Sequence, residues 1–186
     1  MKYAIKQISS WYAKGLNPGK LALNMSMRGL EYSELIPRLN EILAMYHFEA
    51  QWLEIEMTET ILMRNPEESI ITLNTLHKMG ITIAIDDFGT GYSSLSYLKQ
   101  LPIDKLKIDK SFIDDIPQDE DAVTLVNTII SLGKNLHMEV LAEGVENKQQ
   151  RDYLLALGCS KVQGYFYSKP LSAEEMQSIL YANVDS

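Results

Sequence analysis

Ile83-Ala-Ile-Asp-Asp-Phe-Gly-Thr-Gly-Tyr-Ser-Ser94 runs from three apolar residues into two adjacent carboxylates, Asp86 and Asp87, and on through a Gly-Thr-Gly turn. A short, wholly apolar run is the pattern of a buried strand in a parallel sheet. Two neighbouring carboxylates at its end repel each other unless a cation or a shared proton relieves them. Glycines just beyond allow backbone geometry that other residues avoid and let a ligand approach closely. Two readings stand at this point. One is a metal site at the mouth of a sheet, closed by a loop. The other is an Asp that caps the next helix beside a turn.

Working outward, apolar strand-like runs alternate with helical periods. Strands are expected at 21–26, 52–57, 81–85, 105–108, 138–142 and 161–163. Helices are expected at 3–14, 32–46, 66–79, 94–101, 122–136, 148–157 and 172–181. Pro66 suits a helix start and Gly80 a helix stop. Ser172 and Glu175 have the spacing of a capping box. Strict strand–helix alternation implies right-handed parallel β-α units, hence an α/β fold. No linker or compositional break interrupts the chain, so residues 1–186 read as one domain. Its first helix begins almost at residue 1 with no capping residue ahead, so the chain is expected to start inside an element.

Composition narrows the function. The 186 residues carry a net charge of -8, which disfavours a groove that tracks DNA phosphates. Cys159 is the single cysteine, so no internal disulfide can form, and a reducing, cytoplasmic setting is expected. No apolar run approaches the roughly 20 residues of a membrane span.

What ends each strand is the informative pattern. The six expected strands end at, or carry, Asn24, Glu56, Asp86 with Asp87, Lys107, Glu143 and Gln163. In a parallel barrel these ends share one face, where such barrels build their active sites. A buried Lys107 needs a carboxylate or phosphate partner. Asn, Glu and Asp are hard oxygen donors suited to Mg²⁺ or Mn²⁺. His47, His77 and His137 show no ligand spacing and read as surface or packing residues. Asp86 and Asp87 could bridge two ions in the arrangement used for phosphoester hydrolysis. Lys107 would then hold the attacking water or the phosphate, and Glu143 would take the water's proton or position it.

These residues closely resemble the EAL-domain cyclic-di-GMP phosphodiesterases. The resemblance is carried by Asp86-Asp-Phe-Gly-Thr-Gly-Tyr-Ser-Ser-Leu95, Asn24-Met-Ser, Glu56-Met-Thr-Glu59, Lys107-Ile-Asp109, Ala142-Glu-Gly-Val-Glu146 and Gln163-Gly-Tyr165. It runs from about Trp11 to the C-terminus. It implies a modified (β/α)8 TIM-type barrel that cleaves cyclic-di-GMP to linear pGpG with two Mg²⁺ or Mn²⁺ ions. By resemblance, Asn24, Glu56 and Asp86 are metal ligands, and Asp87 serves the second metal. Lys107 contacts the catalytic water and Glu143 is the general base. Glu59 tethers the loop from Asp87 to Ser94, Glu146 supports the centre from outside it, and Gln163 and Arg28 bind substrate.

The sequence departs from the family in two places. Gly29 stands where many members have Gln. The Glu-Ala-Leu signature, with its metal-binding Glu and a nearby substrate-binding Arg, is absent together with two strands. The expectation is therefore an incomplete barrel of about six strands, N-terminally truncated, with weak or no hydrolysis by the chain as given. Its raw sheet edges are expected to favour a homodimer or an edge-mediated assembly. Fused sensory or diguanylate cyclase domains are compatible with a longer protein. An alternative is a catalytically inactive cyclic-di-GMP receptor or a dimerisation module. Asp87-Phe-Gly89 also occurs in protein kinases, but no Gly-rich loop or His-Arg-Asp loop accompanies it.

Overall fold

The computed structural model describes residues 1–26, 34–90 and 95–182. Among them six strands form one sheet in chain order: β1 (Leu21–Asn24), β2 (Leu53–Thr58), β3 (Thr82–Phe88), β4 (Lys105–Ile108), β5 (Glu139–Ala142) and β6 (Lys161–Val162). Every pair of neighbours is parallel. The architecture is an incomplete (β/α)8 barrel, with six strands where a closed barrel has eight. The sheet therefore ends in two edges, β1 and β6.

The sheet's apolar runs explain its core. Leu53, Ile55 and Met57 of β2 and Ile83 and Ile85 of β3 are buried, as are Leu106 and Ile108 of β4. They pack against the inner faces of the helices, among them Leu39, Leu73, Leu76, Val126 and Leu154. In a parallel sheet the pleat sends alternate residues to opposite faces. Apolar residues at one parity meet the helices. The other parity lines the concave face, where Glu54 and Glu56, Lys105 and Lys107, and Glu139 bound a cavity of about 530 Å³.

Most helix boundaries follow the sequence; the helix expected at 94–101 is the exception, with only Leu95–Leu98 helical among the described residues and the chain turning at 99–101 before Pro102. Helices cover Lys2–Ala13, Leu35–Met45, Pro66–Lys78, Leu95–Leu98, Glu120–Asn135, Lys148–Ala156 and Ala173–Ala182. The expected Ser172–Glu175 capping box is present: Glu175 N–H donates to Ser172 Oγ and Ser172 N–H to Glu175 Oε2. The helix expected from 122 starts at Glu120 instead, because Asp119 accepts a hydrogen bond from Ala122 N–H and caps it. Two short helices, Glu59–Arg64 and Lys110–Ile113, are not legible as periods, being under two turns long. The third strand runs past 85 through Asp86, Asp87 and Phe88. Its register shifts between Ile85 and Phe88.

Candidate metal centre

Lys107 organises the strand-end face. It is 5% exposed, and its Nζ lies 2.7 Å from Glu56 Oε1, 2.8 Å from Asp86 Oδ1 and 2.9 Å from Glu143 Oε1. One ammonium thus joins β2, β3, β4 and the end of β5. Burial alone would lower its pKa, but hydrogen bonds to Asp86, Glu56 and Glu143 outweigh that and raise it above the ordinary lysine value. Lys107 stays charged throughout the physiological range.

The carboxylates outnumber it. Glu56, Asp86 and Glu143 converge on the one ammonium, with Asp87 close by, and oxygens of Asp86, Asp87 and Glu143 all lie within 4.8 Å of one another. Burial pushes the Glu143 carboxyl up; Lys107 pulls it back, and the Asp86 and Glu56 charges push it up again. Burial also pushes Asp87 up, helped by the Asp86 and Asp109 carboxylates. These are the electrostatics of a site short of positive charge. The all-oxygen donor set and the small separation fit a divalent cation, which would hold Asp86, Asp87 and Glu143 in common. Of the two readings open for Asp86 and Asp87, a helix cap is not seen among the described residues. Asp86 pairs with Lys107, and its Oδ1 accepts from Asp87 N–H at 3.2 Å.

Local backbone explains how two adjacent Asp side chains reach one centre. Asp87 has φ 52, in the left-handed region that a non-glycine residue rarely adopts. Together with the register shift of β3, this turns Asp87 out of strict alternation. Beyond it, Thr90 Oγ1 donates to the Asp87 carbonyl at 2.8 Å. Gly89 N–H donates to Glu59 Oε2 at 3.4 Å, while Glu59 Oε1 is buried with no hydrogen-bond partner among the described residues. Gly89 has φ 99, and a Cβ there would meet Phe112 at 2.9 Å.

Asn24 ends β1 directly beside Glu56 in register, on the same strand-end row, and is exposed. Gln163 follows β6 and shares a second cavity of about 280 Å³ with Glu143, Glu146 and Tyr165. Glu146 does not join the Lys107 cluster; it forms an exposed ion pair with Lys110. Arg28 and Gly29, and the loop residues 91–94, lie outside the described residues. His47, His77 and His137 are all exposed, and His77 pairs with Asp104. His47 and His137 have φ 50 and 59, so they end helices in the left-handed conformation that glycine more often supplies.

Asp109, which the strand-end pattern does not single out, also reaches this cluster. It shares a hydrogen bond with Asp87 and caps the helix Lys110–Ile113 through Ser111. Burial pushes its carboxyl up, but hydrogen bonds from the Ser111 hydroxyl and amide outweigh this and hold it below the ordinary value. The signal was present, since strand alternation puts residue 109 on the same face as Lys107. Alternation also exposes Glu54, buried one layer below Glu56 and 2.5 Å from Lys105 Nζ.

The comparisons agree with this geometry. The model of the EAL domain matches residues 1–170. The signaling protein YkoW of Bacillus subtilis is 44% identical over 177 residues, 95% of this chain and 22% of YkoW. The bifunctional diguanylate cyclase/cyclic di-GMP phosphodiesterase MucR of Pseudomonas aeruginosa is 38% identical over 93% of this chain and 25% of its own length. This chain therefore spans about a quarter of the length of these relatives. A structure of the MucR phosphodiesterase with c-di-GMP superposes with a TM-score of 0.90 at 38% identity, covering 94% of this chain and 71% of that one. BlrP1 of Klebsiella pneumoniae, solved with manganese and cyclic di-GMP, has a TM-score of 0.82 at 28% identity, covering 91% and 43%. Among the described residues no helix is long and apolar enough to cross a membrane. By its strand-end motifs, its parallel half-barrel and the family match over most of its length, this chain belongs to the EAL domain family.

Proposed function

We propose that this chain is the catalytic face of a cyclic-di-GMP phosphodiesterase, which opens the cyclic dinucleotide to linear pGpG. The observation that carries the reading is the convergence of Asp86, Asp87 and Glu143 oxygens within 4.8 Å beside a triply paired Lys107. Asn24, Glu56 and Asp86 would hold one Mg²⁺ or Mn²⁺, and Asp86, Asp87 and Glu143 a second. Bound divalent ions supply a neutralising charge for the phosphodiester and an acidified water. Lys107 Nζ fixes the carboxylates and orients the water's oxygen. A Glu143 oxygen accepts the water's proton, a task its burial-raised basicity suits. Gln163 lines the substrate side of the cavity, and Arg28 is assigned the same task by resemblance. Glu59 holds the Asp87–Thr90 turn through Gly89, and Glu146 braces the Glu143 loop through Lys110.

A single domain, working in the cytoplasm where Cys159 stays reduced, completes this reading. The free edges of β1 and β6 favour pairing with a second copy or with further strands. Fusion to sensory or cyclase domains accords with the greater length of the relatives. A receptor role is the second reading. The concave wall is open between β1 and β6, so substrate would be gripped from one side only.

The test is incubation with cyclic-di-GMP and Mn²⁺ or Mg²⁺, following pGpG by chromatography, beside calorimetry in Ca²⁺. Slow pGpG release that is lost in Glu143→Gln is the expected result. Micromolar binding without cleavage would assign the receptor role. Neither binding nor cleavage would overturn both.

A further inference from the structure

We infer that Gln150 is a positioning residue for this centre: its carboxamide joins the loop bearing Glu143 to the segment that follows Lys107 and Asp109, an inference that rests on the role proposed above for Glu143. Gln150 is the third residue of the helix Lys148–Ala156 and is 3% exposed. Its Oε1 accepts from the backbone N–H groups of Glu146 at 2.8 Å and Asn147 at 3.2 Å. Its Nε2 donates to the carbonyls of Ile113 at 3.0 Å and Asp114 at 3.5 Å. A capping box needs only the bond to the N-cap amide and the return bond from Gln150 N–H to Asn147 Oδ1, which is 2.9 Å. The bonds to Ile113 and Asp114 do nothing for the cap. They reach back 37 and 36 residues to the end of the Lys110–Ile113 helix.

That helix starts at Asp109, which touches Asp87, and the strand before it carries Lys107. The loop on the other side starts at Glu143, whose N–H donates to the Ile108 carbonyl at 3.1 Å. Gln150 therefore closes a ring whose other link is the Lys107–Glu143 ion pair. If the two loops part, Glu143 moves relative to Lys107 and Asp87 together. The Lys110–Glu146 pair spans the same gap, but it is about half exposed and so is a weaker brace than the buried Gln150. The side chain's chemistry is specific. Among residues of its length only a carboxamide offers donors and acceptors back to back. A carboxylate would keep the amide bonds and turn its other oxygen onto two carbonyls.

The test uses the full chain and three variants: Gln150→Leu, Gln150→Glu and Asn147→Ala. Mn²⁺ affinity is read by calorimetry, thermal unfolding by circular dichroism, and amide exchange of residues 143–147 by mass spectrometry. Gln150→Leu should weaken Mn²⁺ binding about 10–100-fold, the range seen when a group supporting a metal ligand is lost. It should also speed exchange in 143–147 more than elsewhere. Gln150→Glu should do the same to a smaller degree, and it carries the comparison if the Leu variant does not fold. Asn147→Ala weakens only the cap, so it should lower the melting temperature and leave Mn²⁺ affinity within twofold. A folded Gln150 variant with unchanged affinity overturns the inference. Should the unaltered chain bind no Mn²⁺, the metal reading fails by itself and exchange decides the tether. Unchanged protection of 143–147 in the Gln150 variants would then overturn it.

Discussion

Glu143 and the Asp86–Asp87 pair face each other across Lys107, yet they are held in opposite ways. The Glu143 side is fastened by backbone. Val145 N–H donates to the Gln163 carbonyl at 3.0 Å, Phe166 N–H donates to the Val145 carbonyl at 3.0 Å, and Gln150 ties the loop from beneath. The Asp87 side is held by less. Asp87 sits at φ 52, its carboxyl is flanked by those of Asp86 and Asp109, and the turn's link to Glu59 is a 3.4 Å hydrogen bond. Backbone hydrogen bonds fix Glu143 whether or not a cation is present. Like charges crowd Asp87, and their repulsion is relieved only by something positive. The first side reads as scaffold, and the second as the part that responds to a bound ion.

The comparison breaks most severely at the residue between the two sides. Lys107→Met leaves Glu56, Asp86 and Glu143 without their shared ammonium, and removing one partner of a buried ion cluster costs about 3–5 kcal/mol. Thermal unfolding should show this loss essentially constant from pH 6 to 9. The sign follows from the shift. Lys107 has a raised folded pKa, so its contribution is complete below the ordinary 10.5 and fades only as pH rises through the higher folded value. A loss that varied strongly within that window would mean the cluster is not held by a permanently charged lysine.

The scaffold side is probed next by Gly164→Ala. A Cβ there would lie 2.2 Å from the Val145 carbonyl oxygen and 2.3 Å from its N, and backbone cannot step aside as a side chain can. The expected cost is about 1–3 kcal/mol, the range for overpacking. Denaturant titration checks it, and a neutral outcome would show that the loops of Glu143 and Gln163 are not one rigid unit. A smaller effect belongs to Asn147→Ala. Losing this cap should cost about 1 kcal/mol, measured the same way.

The responsive side should answer in the opposite direction. Asp87→Asn removes one of the crowded charges and keeps a residue that tolerates positive φ. Without added metal it should stabilise the chain slightly at pH 7, by about 0.5 kcal/mol, given the modest worth of partly exposed charges. Asp87 has a raised folded pKa, so its charge weighs on the folded state once pH exceeds the ordinary 3.8. The gain from Asn should therefore shrink as the pH is lowered towards that value. With Mn²⁺ the order should reverse. The unaltered chain gains about 2.7 kcal/mol at a hundredfold excess over Kd, and the variant gains less. Melting curves with and without Mn²⁺ decide this, and equal metal stabilisation of both would remove Asp87 from the ion site.

Much of this was legible in the sequence because strand periodicity is simple. Alternation placed Asn24, Glu56, Asp86, Lys107 and Glu143 on one row, and the strand-end motifs named the family. Asp109 was equally legible by parity with Lys107. Glu146, expected to support the centre from outside it, pairs with Lys110 at the surface. Its place depends on where the helix Lys110–Ile113 lands, and a one-turn helix leaves no period to read. Gln150 is not singled out in the helix expected at 148–157, since nothing local marks a side chain whose second pair of bonds goes to residues 36 and 37 positions earlier.

The sequence by itself determined the alternation of strands and helices, the hard-oxygen chemistry of the strand ends and the need for Lys107 to have partners. Those follow from hydrophobic period and side-chain type, which are local properties. Only the tertiary structure decided that one ammonium meets three carboxylates and that Asp87 turns into the left-handed region beside Asp109. It alone decided that Glu143 is fastened from behind by Gln150. Those facts depend on distances between segments far apart in the chain, set by sheet register and by where each loop packs.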